Sequence, residues 1–345
     1  MKETKDSLPT GDKPSNRAKL SYEIRIVQAG ILLCILATIP MHSIRTIMTG
    51  LDPSYTYLLN ILLEKGLKFG TDLFFTYGPL GFLTAAVNVG QNIQIAIAFC
   101  VVLKICEAWL LWSLFRSFHG KKGIVSILAC AMILLVCSPW LSMEYYIHFL
   151  LFLAISLAWT EKEPRPYLIF SMLLSAVTML IKFNSGIMSV VTLALFVLGK
   201  FVLEKRAALR YTKYFLGSVF LYLAMFLFHN PSLTALGNYI RSSLEIASGY
   251  NSAMSVVPQP STLTAAVFCG GSFCMVLLLR LVTNLNSGLY MTLFSGALFQ
   301  AFKHGFVRAD AHTYVFFTEF LIVLTVIMLV MSSRQPHSMR GGGGG

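Results

Sequence analysis

Long apolar runs alternate with short polar breaks along almost the whole chain. Read by length, the runs predict helices near 24–45, 91–115, 123–139, 146–160, 166–182, 186–203, 213–228, 261–283, 287–302 and 314–332. Most of these ten segments come near, or fall somewhat below, the roughly 20 residues that a straight membrane crossing requires. Only KFNSG separates 166–182 from 186–203, so that pair reads as two short helices or as one broken helix. The pattern leaves larger or chemically loaded breaks at 46–90, 138–148, 229–260 and 303–313. Residues 1–22 are polar and expected to be disordered, 23–333 to form one membrane domain, and 334–345 to be a tail ending in a flexible or linker-like GGGGG.

Composition sharpens this picture. Only 12% of residues are charged and mean hydropathy is +0.70, whereas a soluble domain carries about a quarter charged residues. The fold class that follows is all-α, a polytopic helical membrane protein whose backbone polar groups are satisfied within each helix. The net charge of +12 would suggest a nucleic-acid partner in a soluble protein. In this chain the charge sits in alternate breaks: Lys2 to Arg25; Arg116, Lys121 and Lys122; Lys162 and Arg165; and Lys200 to Lys213. That asymmetry orients membrane spans, so no nucleic acid is expected and the N-terminus is placed in the cytoplasm. With an even span count the C-terminus returns there, and the four loaded breaks face outward. The seven cysteines fall in or beside apolar runs with no CxxC or His/Cys cluster, and read as small buried hydrophobes. The polar start and the lack of a small-residue cleavage site favour an uncleaved signal anchor.

The first outer break, LDPSYTYLLNILLEKGLKFGTDLFFTYGPLGFL from Leu51 to Leu83, carries the most information. Tyr55, Leu58, Leu59, Leu62 and Leu63 recur at helical spacing, which predicts a short amphipathic helix able to lie in the membrane interface. Asp52 then reads as its N-cap with Pro53 at the first helical position, a role compatible with chemistry. Gly66 ends the helix, and Gly78-Pro79 turns the chain toward the next span.

These residues carry a resemblance. An Asp just past the first membrane helix (Asp52), an aromatic three residues on (Tyr55), a helix ending in Gly66, then Asp72 and a Gly78-Pro79-Leu80 turn resemble the first outer loop of GT-C fold glycosyltransferases. FTYGPLGFL with the later GFVRADAH is similar to a bacterial group of that superfamily. The resemblance implies a GT-C-like first outer loop with interfacial helices in a bacterial cytoplasmic membrane. It implies a donor sugar linked to polyprenyl phosphate and a cell-envelope glycan or lipid acceptor. The family's first acidic residue, a catalytic base or acceptor-positioning carboxylate, falls on Asp52; Pro53 stands where many members have a second acid. Glu144 falls on a further loop acid, and Lys182 on a lysine that contacts carrier phosphate. Tyr55 and Asp72 complete the loop's substrate-binding set.

The residues argue independently. Sugar transfer needs a base for a hydroxyl proton and cations for the departing phosphate. Asp52 suits the first, and Arg308, Lys182 and Arg241 the second. KHGFVRADAHT places Lys303, His304, Arg308, Asp310 and His312 in one break. Arg308 there is either a phosphate clamp or the partner of Asp310, and His312 joins the substrate-binding candidates. A divalent metal is compatible with this break, but His304 and His312 lack the spacing of a helical metal site, and no metal ligand is assigned. Glu144 and Lys182 also have plain readings, as a solvated loop carboxylate and a snorkelling lysine. Inside the spans, Lys104 and Glu107 lie three apart and can neutralise each other, with a proton relay as the alternative; Glu319 has no evident local partner. The midplane charges and the KFNSG break leave room for a transporter or flippase of lipid-linked saccharides, and the short chain for a non-catalytic scaffold. The carboxylates concentrated on the outer side favour the enzyme.

Overall fold

The computed structural model describes residues 25–26, 29–30, 46–47, 49–62, 64–116, 142–253, 255–308 and 312–333, apart from the side chains of 51–52, 206–208 and 250–252. The expected span at 123–139, nearly all of 24–45, and both terminal segments lie outside the described residues.

Among the described residues the chain is helical, with isolated backbone bridges and no strand. The helices are α1 (Leu51–Ile61), α2 (Asn92–Phe115), α3 (Met143–Thr160), α4 (Arg165–Ile181), α5 (Phe183–Leu203), α6 (Lys205–His229), α7 (Leu233–Ala253), α8 (Pro260–Thr283), α9 (Leu285–Thr292), α10 (Ser295–Val307) and α11 (Thr313–Ser333). Six of the described helical segments are long and apolar enough to cross a membrane: α2, α3, α5, Leu209–His229 of α6, α8 and α11. The apolar α4 is shorter. This is a helical membrane protein.

The packing follows from which helices are apolar all round. Ile147 and the run from Phe149 to Ile155 on α3 are buried on every face, so α3 is the central post of the bundle. It packs against α2, α4, α5 and α11. Peripheral helices instead show outward apolar faces, such as Phe220 and Phe228 on α6 and Phe268, Met275 and Leu278 on α8. In lipid such faces carry no desolvation penalty, and the helix satisfies its own backbone.

Four expectations are corrected. The segment 287–302 is not one helix: α9 and α10 are separated at Leu293 and Phe294, whose N–H groups reach back only three residues, to Tyr290 and Met291. The hydroxyls of Thr292 and Ser295 bond to the carbonyls of Leu289 and Thr292 beside the break (2.6 and 2.7 Å), a local competition with regular helix. The 229–260 break holds the 21-residue α7 in place of a short helix. Of the described residues in the breaks 138–148 and 303–313, most are helical, because α3 starts at Met143 and α10 runs to Val307. Asp52 is not the N-cap: Gly50 is, and Asp52 falls in the first turn of α1. The KFNSG ambiguity resolves as two helices with Lys182 alone between them, in extended conformation (φ −153°, ψ 124°).

The ends of α1, α2, α3, α5, α7, α10 and α11 collect at one end of the bundle, tied by polar hooks. Buried Asn60 of α1 donates to the Ala85 carbonyl (2.9 Å) and accepts from Val87 N–H (3.0 Å) and Asn92 (3.2 Å). Asn230 donates to the Phe69 carbonyl and to Thr71 (both 3.0 Å), and Ser243 donates to the Phe75 carbonyl (3.1 Å). The first loop therefore lies down on α7. Gly70 is required there, with φ +78° and a would-be Cβ only 1.9 Å from the Ala235 carbonyl oxygen.

Candidate functional site

At this loop end the Tyr77-Gly78-Pro79 turn docks on the break between α4 and α5. Gly78 N–H donates to the Ile181 carbonyl (3.1 Å), Leu80 N–H to Leu180 (3.0 Å), and Phe183 N–H to Thr76 (2.7 Å). Tyr77 and Lys182 thus form an antiparallel bridge. A Cβ on Gly78 would sit 2.4 Å from the Leu180 carbonyl oxygen, so only glycine permits the approach. Because Lys182 is extended, its backbone pairs with the turn while its side chain projects to the start of α3.

That side chain meets Glu144, in the first turn of α3. Lys182 Nζ lies 2.8 and 3.0 Å from the two carboxylate oxygens. Ser185 donates to Glu144 Oε2 (3.1 Å), and the Tyr77 hydroxyl makes a long 3.5 Å contact to Oε1. Lys182 also lies over the Tyr77 ring, 5.0 Å from its centroid. Burial works against the Lys182 charge, but the Glu144 carboxylate outweighs it and raises the ammonium's pKa. Burial likewise pushes the Tyr77 phenol well above its usual range, so it acts as a neutral donor. Tyr55 and Phe75 stack with Tyr77 at 5.6 Å each, which extends the site as an aromatic shelf toward α1.

One turn below, a narrow cleft opens between α3, α5, α10 and α11, with Glu144, His148, Ser185, His304 and Glu319 among its lining residues. His148 Nδ1 lies 3.2 Å from Glu319 Oε1, both side chains almost fully buried. Glu319 therefore has the partner its sequence neighbourhood did not disclose. Burial and the nearby Lys182 charge push His304 down to about 4, so its imidazole is neutral at pH 7. The His304 and His312 rings lie 6.0 Å apart. No group of three or more His, Cys, Asp or Glu among the described residues is arranged to hold a metal ion.

The residues singled out in the sequence divide. Glu144, Lys182 and, through Tyr77, Tyr55 come together, and His312 joins them through His304. Asp72 stands apart on an exposed turn, where its carboxylate accepts from the Lys68 N–H (2.9 Å). Arg308 ends α10 and its backbone bridges to Val256. The Asp52 side chain and Asp310 lie outside the described residues. Tyr77, Ser185 and His148 were missed as site residues. His148 had a signal: it follows Glu144 by four, on the same face of a helix. No protein-family model, curated protein or solved structure matches the chain.

Proposed function

We propose that the protein is a membrane glycosyltransferase of GT-C type. It would move a sugar from a polyprenyl-phosphate-linked donor to a cell-envelope glycan or lipid acceptor at the loop end of the bundle. The observation that carries this reading is the gathering of Glu144, Lys182, Tyr77 and His304 at one end of the helices, beside α1. A carrier phosphate would sit there with its tail along the apolar helix faces. Lys182 has three N–H donors and spends two on Glu144, which leaves one for a phosphate oxygen. Arg308 supplies the second cation and Asp52 positions the acceptor. The Lys/Arg asymmetry supports a ten-span arrangement in a bacterial cytoplasmic membrane, with the loop end outside and the N-terminus inside.

Binding of a polyprenyl-phosphate analogue to the purified protein tests the reading. Arg308→Ala and Lys182→Ala should each weaken it about tenfold, the order expected for one charge-assisted contact. Arg308→Lys should not rescue, because an ammonium lacks the bidentate fork. Unchanged affinity in both alanine variants removes the carrier-phosphate assignment.

One observation favours a second reading, a transporter of lipid-linked saccharides. Lys104 and Glu107 form a buried 2.8 Å ion pair midway along α2, and Tyr146 donates to the same carboxylate (2.7 Å). Buried ionisable groups at that depth also occur in proton paths. Proton uptake by proteoliposomes, abolished by Glu107→Gln, would favour transport over transfer.

A further inference from the structure

The His148–Glu319 pair differs from an ordinary buried ion pair in what it leaves open. Glu319 Oε1 engages His148 Nδ1, yet His148 Nε2 and Glu319 Oε2 have no hydrogen-bond partner and no exposure. Buried polar atoms normally find partners, so an orphaned pair on the wall of a cleft marks a place where a ligand group or water belongs. The pairing also bears on which nitrogen is available. An ionised Glu319 only accepts, so beside it Nδ1 carries the proton and a neutral imidazole presents Nε2 as a bare lone pair. A carboxylate that orients an imidazole in this way is the arrangement by which a histidine becomes a general base. The ring is held by edge contact with Tyr145 and tilted contact with Phe152, at 6.2 and 6.1 Å.

We propose that His148 Nε2 accepts the proton of a hydroxyl bound in this cleft, and that Glu319 is its positioning residue. The polar groups that line the cleft with the ring are Glu144 and Tyr145 from its own helix, Glu319 from α11, His304 and Gln300 from α10 and Ser185 from α5, with Lys182 paired to Glu144. The identity of the hydroxyl rests on the glycosyl-transfer reading; the oriented base does not. In that setting the acceptor O–H bond breaks as its oxygen bonds to the anomeric carbon of the polyprenyl-phosphate-linked sugar. The proton passes to Nε2, and the pair of electrons in the sugar–phosphate bond leaves on the phosphate. The imidazolium so formed is neutralised by Glu319 and later returns its proton to water.

The test uses the full chain in lipid nanodiscs. Nitrogen-15 NMR of histidine-labelled protein at neutral pH should show His148 as the Nδ1–H tautomer. Glu319→Gln, whose amide can donate to Nδ1, should shift it toward Nε2–H. If that variant does not fold, the wild-type tautomer decides alone. With a polyprenyl-phosphate sugar donor, His148→Gln should lose about a hundredfold or more in kcat with KM nearly unchanged, the usual scale of general-base catalysis. An Nε2–H tautomer in the wild-type protein overturns the base. The expected tautomer in a wild-type protein that transfers no sugar sustains the base and overturns the glycosyltransferase reading.

Discussion

Two carboxylate pairs, Glu144 with Lys182 and Glu319 with His148, meet α3 about one helical turn apart, and they are opposites. Glu144 is closed: Lys182, Ser185 and Tyr77 all address its two oxygens. Glu319 with His148 is open, with one oxygen and one nitrogen unpartnered. A satisfied buried pair holds a structure in register, here the first loop against the α4–α5 break. An unsatisfied pair keeps bonding capacity for a group that enters the cleft, whether water or ligand. The comparison assigns a framing and charge-setting task to the closed pair and a chemical one to the open pair.

The sharpest way to break the comparison is to open the closed pair. Glu144→Ala leaves the Lys182 ammonium inside without a counter-charge. Removing one partner of a fully buried pair costs about 3–5 kcal/mol. Because the two side chains retain 16% and 17% exposure, we expect the low end, about 3 kcal/mol, by steric trapping in bicelles. The pair Glu144→Leu and Lys182→Met should recover much of the loss, since apolar replacements of both partners are tolerated better than a single orphan. Equal losses in the single and double variants would show that the two residues act independently.

The second effect is on pH. His304 titrates near 4 in the folded protein against 6.5 as a free side chain, so the unfolded chain binds its proton first. Stability contributed by neutral His304 is present above pH 6.5 and lost as pH falls toward 4. Between pH 7 and 5 the loss should be about 2 kcal/mol. His304→Gln should flatten that part of the profile. A wild-type and variant difference that stays constant from pH 7 to 5 would mean that the imidazole is not held neutral by Lys182 and its burial.

A smaller perturbation reaches the same frame through the backbone. Gly78→Ala forces a methyl group against the Leu180 carbonyl and should cost about 1–2 kcal/mol, the usual range for an overpacked contact. It should also weaken the Tyr77–Lys182 bridge, visible as faster amide exchange at Gly78 and Phe183. Unchanged exchange would separate the turn from the ion pair it supports.

How much of this could be read from the sequence depends on where the information sits. The apolar runs placed α2, α8 and α11 within a few residues, because in a membrane helix run length is the dominant constraint. The break between α9 and α10 was hidden because Leu293 and Phe294 are as apolar as the helices they separate. The helix α7 was hidden because an amphipathic helix outside the apolar spans leaves no hydropathy peak. Glu144 and Lys182 each stood out as polar residues beside apolar runs. Their pairing did not, since it depends on a backbone bridge from a turn in another part of the chain. The Glu319 partner was invisible for the same reason: 171 residues separate it from His148.

Asp72 gives the gentlest test of where the site stops. Sequence reasoning placed it among the substrate-binding residues, and the structure gives it a local task as acceptor for the Lys68 N–H in its own exposed turn. A turn acceptor depends on an oxygen, not on a charge. Asp72→Ala should therefore cost about 0.5–1 kcal/mol, the scale of one exposed side-chain to backbone bond. Asp72→Asn, which keeps the oxygen, should be close to neutral in stability and in binding of a polyprenyl-phosphate analogue. Loss of binding in Asp72→Asn at full stability would mean that the negative charge itself is used. The functional end of the bundle would then extend from the His148 cleft, past the Tyr77 shelf, to the rim of the first loop.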